Sequence, residues 1–517
     1  MPMLIGDIVK RQAKINAKRV GLVDANKEFT YKEINERVNR LGNAFIKLAL
    51  RKGDKVAFMA NNCHEFVEAY FAVAKTGLII VPVNARFSSN EVAYILNHSE
   101  SDVFIYHTEF DEVLKEVRGS LTTVKHFIKI GDAEDEVSPY EALLSASSAE
   151  EPNIPVYIDD MVMILYTSGT TGDAKGVITT QRSLMATTNS MTIDLRIAPE
   201  DINLLVMPIF HAGGLWPIMT HFYRGAKTIL LSRFDEEKVL QMIEKEKITF
   251  LNLVPTTLRR LVNCPHLKKY NLESLRLVMY GGAPIPSHQL KEAMYILGPH
   301  RFYSGLGATE SGCGGMLSFP TTEHALVLDG PLAGKFGSVG RDGTDVEVRI
   351  VDENGIEVPP RQVGEIIAKG DIIASGYWKM PEETSRTFRD GWLYTGDLGY
   401  RDEDSYVFIV GRKKDIIISG GENISSREVE ETIGQHPAVE EVAVIGFPDE
   451  VWGEAVKAMV VLKAGFERKI TEEEIINFCK DKLATYKSPK SVEFVTDLPK
   501  TPTGKIKKEE LKKWVTT

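Results

Sequence analysis

The chain has 517 residues, of which 43% are hydrophobic and 26% are charged, a composition typical of globular proteins that excludes collagen-like and disordered chains. At roughly 100–250 residues per unit, this length predicts two to four structural units. The net charge is -10, from 62 basic and 72 acidic residues. Because general nucleic-acid binders are basic, we expect no nucleic-acid partner.

Cysteine spacing and apolar segments bear on the compartment. The four cysteines, Cys63, Cys264, Cys313 and Cys479, lie far apart and form no CxxC pair, which argues against a disulfide framework and a zinc site and favours a reducing, cytoplasmic location. The N-terminus lacks the apolar core of a signal peptide. The uncharged stretch 202–223 is long enough to span a bilayer. Its prolines and glycines instead favour a strand, a loop and a helix, so we expect no transmembrane segment.

Helical and strand patterns alternate up to about residue 330. Capping boxes at Thr30–Glu33 and Ser88–Glu91 predict two helix N-termini. Compact apolar runs, many of them rich in β-branched residues, predict strands at 55–60, 78–84, 102–107, 161–165, 228–232, 250–254 and 276–280. This alternation predicts parallel sheets that are covered by helices on both faces.

The pattern changes twice in the last third of the chain. Short strands separated by glycine and proline predict a β-rich part at about 331–413. Strand patterns at 439–446 and 457–462, and a helix that opens at Thr471, then predict a small α+β domain. We therefore predict an α/β protein whose large N-terminal domain, 1–413, contains parallel sheets and the β-rich part, followed by a C-terminal domain, 414–517.

A loop of glycines and hydroxylated residues follows the predicted strand 161–165. Backbone N–H groups and hydroxyls in such a loop can surround a polyphosphate, and a lysine adds positive charge. Lys175 lies between Ala174 and Gly176, so the loop is not a Walker A motif. The candidate phosphate-binding residues are Thr167, Ser168, Gly169, Thr170, Thr171, Gly172 and Lys175.

This loop resembles the phosphate-binding signature of the AMP-forming adenylate-forming superfamily, which includes acyl-CoA synthetases, amino-acid adenylation domains and beetle luciferases. Leu306 stands where the superfamily usually has an aromatic residue, and Ala174 where it usually has proline. Five further segments resemble motifs of the superfamily in the same order: the adenine loop at 281–284, the Thr-Glu segment at 305–310, the ribose motif at 394–397, the hinge motif at 411–415 and the catalytic-lysine motif at 502–505.

The resemblance implies ATP, Mg²⁺ and CoA as cofactors. Its implied catalytic residues are Lys505, Glu310 and Thr309, with Glu310 holding the metal. It assigns ribose contacts to Asp397 and Arg412. The implied ATP-binding residues outside the phosphate loop are Gly281, Gly282, Ala283, Gly305, Leu306, Gly307, Ala308, Thr309, Asp397, Arg412 and Lys505.

His211 indicates the branch of the superfamily. Amino-acid adenylation domains carry an aspartate where the segment 208–214 has His211, and the histidine with its flanking glycines resembles acyl-CoA synthetases. The resemblance also implies a hinge at Lys414, about which the C-terminal domain would move. The implied acyl-pocket residues are His211, Gly282, Leu306 and Gly307, and the implied CoA contacts are Gly420, Gly421 and Glu422.

These residues predict an AMP-forming acid–CoA ligase. An adenylating enzyme that loads a carrier protein and a non-catalytic nucleotide-binding protein stay as alternatives. Glycines beside Glu310 and His211 are expected to leave open volume, and no arginine in those stretches can pair with a second carboxylate. A monocarboxylic aliphatic or cyclic acid is therefore the expected substrate. The expected partners are this acid, ATP and CoA, with a homodimer left open.

Overall fold

A computed structural model describes residues 2–131, 138–167, 174–466, 469–501 and 506–516. Each predicted strand and helix has a counterpart whose bounds differ by a few residues at most. The helices of the described residues are α1 (Ile5–Ile15), α2 (Tyr31–Lys47), α3 (His64–Thr76), α4 (Ser89–Ser99), α5 (Asp111–Val117), α6 (Tyr140–Ser145), α7 (Gln181–Asp194), α8 (Ala212–Arg224), α9 (Glu236–Glu246), α10 (Pro255–Val262), α11 (Ser287–Leu297), α12 (Thr321–His324), α13 (Pro381–Thr387), α14 (Ser426–Gly434), α15 (Glu472–Lys480) and α16 (Lys508–Thr516).

The strands of the described residues follow the same chain order. They are β1 (Val20–Asp24), β2 (Lys27–Thr30), β3 (Lys55–Met59), β4 (Ile79–Pro82), β5 (Ser101–His107), β6 (His126–Ile130), β7 (Ser138–Pro139), β8 (Met161–Tyr166), β9 (Gly176–Thr180), β10 (Ile202–Leu205), β11 (Lys227–Leu230), β12 (Phe250–Leu253), β13 (Leu277–Tyr280), β14 (Phe302–Ser304), β15 (Leu317–Ser318), β16 (Arg341–Asp342), β17 (Glu347–Val351), β18 (Gly364–Lys369), β19 (Phe388–Arg389), β20 (Trp392–Arg401), β21 (Val407–Arg412), β22 (Ile416–Ser419), β23 (Glu422–Ser425), β24 (Val439–Asp449), β25 (Gly453–Leu462) and β26 (Ser491–Phe494).

Two seven-stranded sheets form the N-terminal part. One has the order β7-β6-β5-β3-β4-β8-β9 and the other β14-β13-β12-β10-β11-β1-β2. All neighbouring strands in both sheets pair in parallel except the edge strands β9 and β2, which run antiparallel to their neighbours. The predicted parallel α/β architecture is thereby confirmed, with one antiparallel edge strand in each sheet.

Helices between the two sheets form the largest core cluster. This cluster joins apolar residues of β3 and β10 to residues of α1, α2, α3 and α8. Every residue of α3 is buried, even its charged ones, as expected for a helix enclosed on all sides. Thr30 accepts a hydrogen bond from the backbone N–H of Glu33 at the start of α2, which confirms the predicted capping box.

A two-stranded sheet of β15 and β16, a β-rich unit and a C-terminal sheet complete the fold of the described residues. Strands β17, β18, β20, β19 and β21 form an antiparallel five-stranded sheet. In the C-terminal sheet the order is β23-β22-β25-β24, with β26 parallel to β25. Glu440 of β24 pairs with Arg259 of α10, and Glu431 of α14 accepts a hydrogen bond from Ser287 of α11. Within the described ranges, no helix is both long and apolar enough to cross a membrane.

Candidate active site

The carboxyl ends of neighbouring parallel strands bring eight of the predicted nucleotide residues, 281–283 and 305–309, to one sheet edge. Strands β14, β13, β12 and β10 are consecutive neighbours, so the segments that follow them emerge on the same side. Gly281, Gly282 and Ala283 follow β13, the 305–310 segment follows β14, and His211 lies beyond β10. Ligands of open α/β sheets bind at such carboxyl edges.

Close backbone packing explains the glycines of the 305–310 segment. The N–H groups of Met316 and Leu317 both donate to the carbonyl oxygen of Leu306. A Cβ atom on Gly305 would lie 2.2 Å from the oxygen of Leu317, and one on Gly307 would lie 2.5 Å from the oxygen of Gly314. Both distances are too short for a side chain, so this loop needs glycine at both positions.

Thr309 and Glu310 lie in the short 3₁₀ turn Thr309–Ser311. The hydroxyl of Tyr377 donates to Oε1 of Glu310 at 2.9 Å, and the N–H of Ala374 donates to the carbonyl oxygen of Glu310, also at 2.9 Å. Burial and the neighbouring Glu310 carboxylate raise the pKa of Tyr377. The phenol therefore stays protonated and orients the Glu310 carboxylate as a donor.

The ends of the predicted phosphate loop are joined where the N–H of Thr167 donates to the carbonyl oxygen of Lys175 at 2.9 Å. The Lys175 ammonium lies 2.5 Å from Oε2 of Glu383 and 5.2 Å from the centre of the Tyr377 ring. Tyr377 thus touches both Lys175 and Glu310. The predicted loop residues outside the described ranges are Ser168, Gly169, Thr170, Thr171 and Gly172.

Asp397 and Arg412 face each other across the antiparallel pair β20 and β21. Nε of Arg412 lies 2.9 Å from Oδ1 of Asp397, and the Asp397 side chain is mostly buried whereas Arg412 is exposed. Arg427 of α14 also lies near Asp397. Burial lowers the pKa of Arg427, and the carboxylates of Glu431, Glu430 and Asp397 oppose that shift.

His211 is the N-cap residue of α8, where its Nδ1 accepts a hydrogen bond from the N–H of Gly213 at 3.2 Å. Asn252 of β12 donates to the carbonyl oxygen of Gly213 at 2.8 Å. The loop before His211 is held by buried Asn62, which donates to the oxygens of Met207 and Leu231, each at 3.0 Å. Asn62 therefore ties together the segments that follow β10 and β11.

The expectation that the neighbouring glycines leave open volume is wrong for Gly214, Gly312 and Gly314. A Cβ on Gly214 would lie 2.1 Å from the oxygen of Pro208, and one on Gly312 would lie 2.1 Å from the oxygen of Ile372. On Gly314 it would lie 2.9 Å from the side chain of Thr187. These glycines let backbone segments and helix α7 approach each other, so they carry no information on the size of the acid.

The predicted CoA contacts lie at the tip of the β22–β23 hairpin. Gly420 and Gly421 have φ of 59° and 85°, as a two-residue turn with positive φ at both positions requires. They and Glu422 are exposed, and Gly420 contacts Trp452 of the C-terminal part. Lys414 is exposed in the 3₁₀ turn Lys413–Asp415, and Lys505 lies outside the described residues.

Sequence reasoning missed Tyr377 and Glu383, which contact the predicted set, and Arg427, which interacts electrostatically with Asp397. Tyr377 belongs to a segment that runs beside β9, where the N–H of Ile178 donates to the carbonyl oxygen of Gly376 and the N–H of Trp378 donates to that of Gly176. Glu383 lies on helix α13, which follows this segment. Arg427 comes from an ordinary amphipathic helix. No local pattern signals these contacts, because each depends on pairing between distant parts of the chain.

Comparison with known families identifies the chain. The profile described as AMP-binding enzyme matches residues 9–378, and the profile described as AMP-binding enzyme C-terminal domain matches residues 428–505. The first match alone spans well over half of the sequence. The chain therefore belongs to the AMP-binding enzyme family, the adenylate-forming superfamily that its motifs resemble.

Relatives within this family define the branch. The feruloyl-CoA synthase of an Amycolatopsis species and the long-chain-fatty-acid–CoA ligase FadD13 of Mycobacterium tuberculosis are each 34% identical to this chain, over 98% of its length and 98% of theirs. The solved structure of the anthranilate CoA ligase AuaEII in complex with anthranoyl-AMP matches with a TM-score of 0.91 and 28% identity, covering 100% of this chain and 98% of that one. The chain is an AMP-forming acid–CoA ligase of the acyl-CoA synthetase branch, whose members use ATP and CoA.

Proposed function

We propose that the enzyme activates a monocarboxylic aliphatic or cyclic acid and that ATP binds at the sheet edge formed by β10, β12, β13 and β14. The observation that carries this proposal is the convergence of Lys175 and Glu310 on the side chain of Tyr377. A cation and a carboxylate are thereby held beside the base of the phosphate loop, as a polyphosphate and its metal require.

In the first step, a carboxylate oxygen of the acid attacks the α-phosphorus of ATP, and pyrophosphate leaves as the bond to the bridging oxygen breaks. Both reactants are negatively charged, so cationic groups must offset their repulsion. Lys175 compensates the polyphosphate charge, while Thr309 and Lys505 contact the α-phosphate. Asp397 accepts from the ribose hydroxyls, and its pairing with Arg412 holds the carboxylate in place.

Glu310 is suited to hold Mg²⁺. Its Oε1 accepts from Tyr377, and among the described residues its Oε2 has no hydrogen-bond partner, so this oxygen can ligate a metal. Mg²⁺ commonly takes one or two carboxylates together with substrate phosphates. When bound, the metal would neutralise phosphate charge that Lys175 alone leaves unbalanced.

In the second step, the CoA thiolate attacks the carbonyl carbon of the acyl-adenylate, and AMP leaves as the thioester forms. We assign residues 1–413 to the AMP-binding domain and 414–517 to a mobile C-terminal domain that turns about Lys414. Gly420, Gly421 and Glu422 then contact CoA. The exposed position of their hairpin in the present arrangement supports this assignment, because a moving segment must be free to dock elsewhere.

The acid class rests on charge. The segments 208–214 and 310–316 contain no arginine, so a second carboxylate in a pocket at His211, Gly282, Leu306 and Gly307 would be buried unpaired. The feruloyl and long-chain fatty acyl groups in the names of the relatives are monocarboxylic, which also supports this class. A homodimer and a cytoplasmic location stay predictions.

A panel of acids tests the proposal, with pyrophosphate, AMP and thioester followed with and without CoA. Without CoA, we expect monocarboxylic aliphatic or cyclic acids to release pyrophosphate in the first turnover but no AMP, because the acyl-AMP stays intact. With CoA, we expect acyl-CoA and AMP as well. Preference for a dicarboxylic acid would contradict the acid class. Pyrophosphate without any CoA-dependent thioester would favour the carrier-loading alternative, and no adenylation of any acid would favour the non-catalytic one.

Tyr377→Phe tests the metal assignment. The substitution removes the hydroxyl that orients Glu310 and leaves the ring against Lys175. Because loss of a partner that orients a metal ligand typically costs about 10–100-fold in metal affinity, we expect the Mg²⁺ concentration for half-maximal adenylation to rise about tenfold. Calorimetric titration of Mg²⁺ into the enzyme with ATP should show the same shift.

Tyr406→Phe is the matched control. The Tyr406 hydroxyl also donates to a glutamate, Glu323, at 3.0 Å, but neither residue belongs to the proposed metal site. This variant should leave the Mg²⁺ requirement unchanged. Equal Mg²⁺ requirements in Tyr377→Phe and the parent enzyme would exclude Glu310 and Tyr377 from the metal site.

A further inference from the structure

Glu383 forms an ion pair with Lys175, the cation that the proposed function assigns to the phosphates of ATP. Its Oε2 lies 2.5 Å from the Lys175 ammonium, and the two side chains are 35% and 28% exposed. The hydrogen bond from Lys175 holds the pKa of Glu383 below its usual range, so Glu383 is ionised at neutral pH. A full negative charge thus stands where a phosphate of ATP has to bind.

The contact is built by the fold rather than by a loose surface loop. Residues 374–378 run beside β9, with an isolated bridge between Val177 and Tyr377. Thr384 accepts from the N–H of Tyr377 at 2.9 Å and donates to the oxygen of Met380 at 2.8 Å. These bonds fix the start of α13, which carries Glu383, against the base of the phosphate loop.

Glu383 has a second cationic partner already in place. Nη1 of Arg386, one helical turn away on α13, lies 3.1 Å from Oε1 of Glu383. When Lys175 turns to a phosphate, the Glu383 carboxylate can keep a compensating charge by staying with Arg386. The Glu383 carboxylate therefore has two alternative states, one paired with both Lys175 and Arg386 and one paired with Arg386 alone.

We propose that Glu383 belongs to the nucleotide site as a positioning residue that competes with ATP. In the nucleotide-free enzyme it neutralises and orients Lys175, and ATP binds only by displacing it toward Arg386. The inference rests on the proposed role of Lys175 in phosphate binding. It predicts that part of the ATP binding energy is used to break the Lys175–Glu383 pair.

Glu383→Gln tests the competition, because the direction of the change in ATP affinity distinguishes it from a supporting role. Partly exposed ion pairs contribute modestly, so loss of this one should tighten ATP about two- to fivefold in direct calorimetric titration, with a matching fall in the KM for ATP. A residue that merely orients Lys175 for the phosphate would have the opposite effect, because its loss would weaken binding. Glu382→Gln is the matched control, since Glu382 is 87% exposed and pairs with Arg386 instead of Lys175.

Arg386→Gln and the double variant complete a thermodynamic cycle. Without its second partner the displaced carboxylate is unpaired, so Arg386→Gln should weaken ATP binding, and this effect should disappear in the Glu383→Gln background. If Glu383→Gln does not fold, Glu383→Asp, whose shorter side chain withdraws from Lys175, should show the same tightening.

Lys175→Gln distinguishes a failure of this inference from a failure of the proposed role of Lys175 in phosphate binding. Unchanged ATP affinity in Lys175→Gln would remove Lys175 from the phosphate site, and with it the proposed competition. If Lys175→Gln weakens ATP but Glu383→Gln leaves the affinity unchanged or weaker, the site assignment stands and the competition is wrong. Tightening in Glu383→Gln but not in Glu382→Gln supports the proposal.

Discussion

Lys505→Ala should lower the rate of adenylate formation about a hundredfold to a thousandfold, the typical cost of removing an electrostatic donor from a reacting centre. The acid carboxylate attacks a phosphate that already carries negative charge, and Lys505 is the cation assigned to that point. Thioester formation from supplied acyl-AMP should be affected much less, since the nucleophile in that step attacks the carbonyl carbon and not phosphorus. Rapid-quench assays of the two half-reactions measure the difference.

Lys507→Ala is a suitable control, because Lys507 is half-exposed at the start of the C-terminal helix and pairs with Glu510. It removes the same charge two residues away and should leave both half-reactions intact. Equal losses of the two half-reactions in Lys505→Ala would contradict a role confined to adenylation.

The sequence predicts most of the fold because its signals are local. The Thr30 capping box and the apolar run at 161–165 are local patterns, and α2 and β8 form where they lie. The uncharged stretch 202–223 folds as the predicted strand, loop and helix, β10 and α8. Strand order is less accessible. Strand β1 lies between β11 and β2, in a different sheet from β3 and β4, which follow it in the chain.

The residues of the candidate site also divide into those with a local sequence signal and those without one. Motif residues such as Lys175, Glu310 and Asp397 could be named because short sequence segments carry them. Tyr377 and Glu383 could not, since residues 374–378 pair with β9, about two hundred positions earlier in the chain, and helix α13 with Glu383 follows that segment. The glycines around Glu310 misled the interpretation, because composition does not distinguish an open space from two backbones in contact.

The Lys414→Pro variant addresses the proposed movement of the C-terminal domain. One site must present Lys505 to the phosphates and later admit the CoA thiol to the same carbonyl carbon, and a single arrangement cannot do both. Lys414 is exposed between Arg412, which pairs with Asp397, and the C-terminal sheet that begins at Ile416. A change of its backbone dihedrals would turn that sheet as a body, once the contacts of Glu440 and Glu431 to the N-terminal part break.

Proline fixes φ near −65° and so restricts such a change at residue 414. We expect Lys414→Pro to form acyl-AMP and pyrophosphate at a near-parental rate in the first turnover, whereas acyl-CoA appears much more slowly and adenylate accumulates on the enzyme. Lys414→Ala removes the same ammonium but keeps the backbone free, so it should make acyl-CoA normally. A Lys414→Pro enzyme with parental thermal stability and a parental rate of acyl-CoA synthesis would exclude Lys414 as the hinge, and with it this route for CoA to the adenylate.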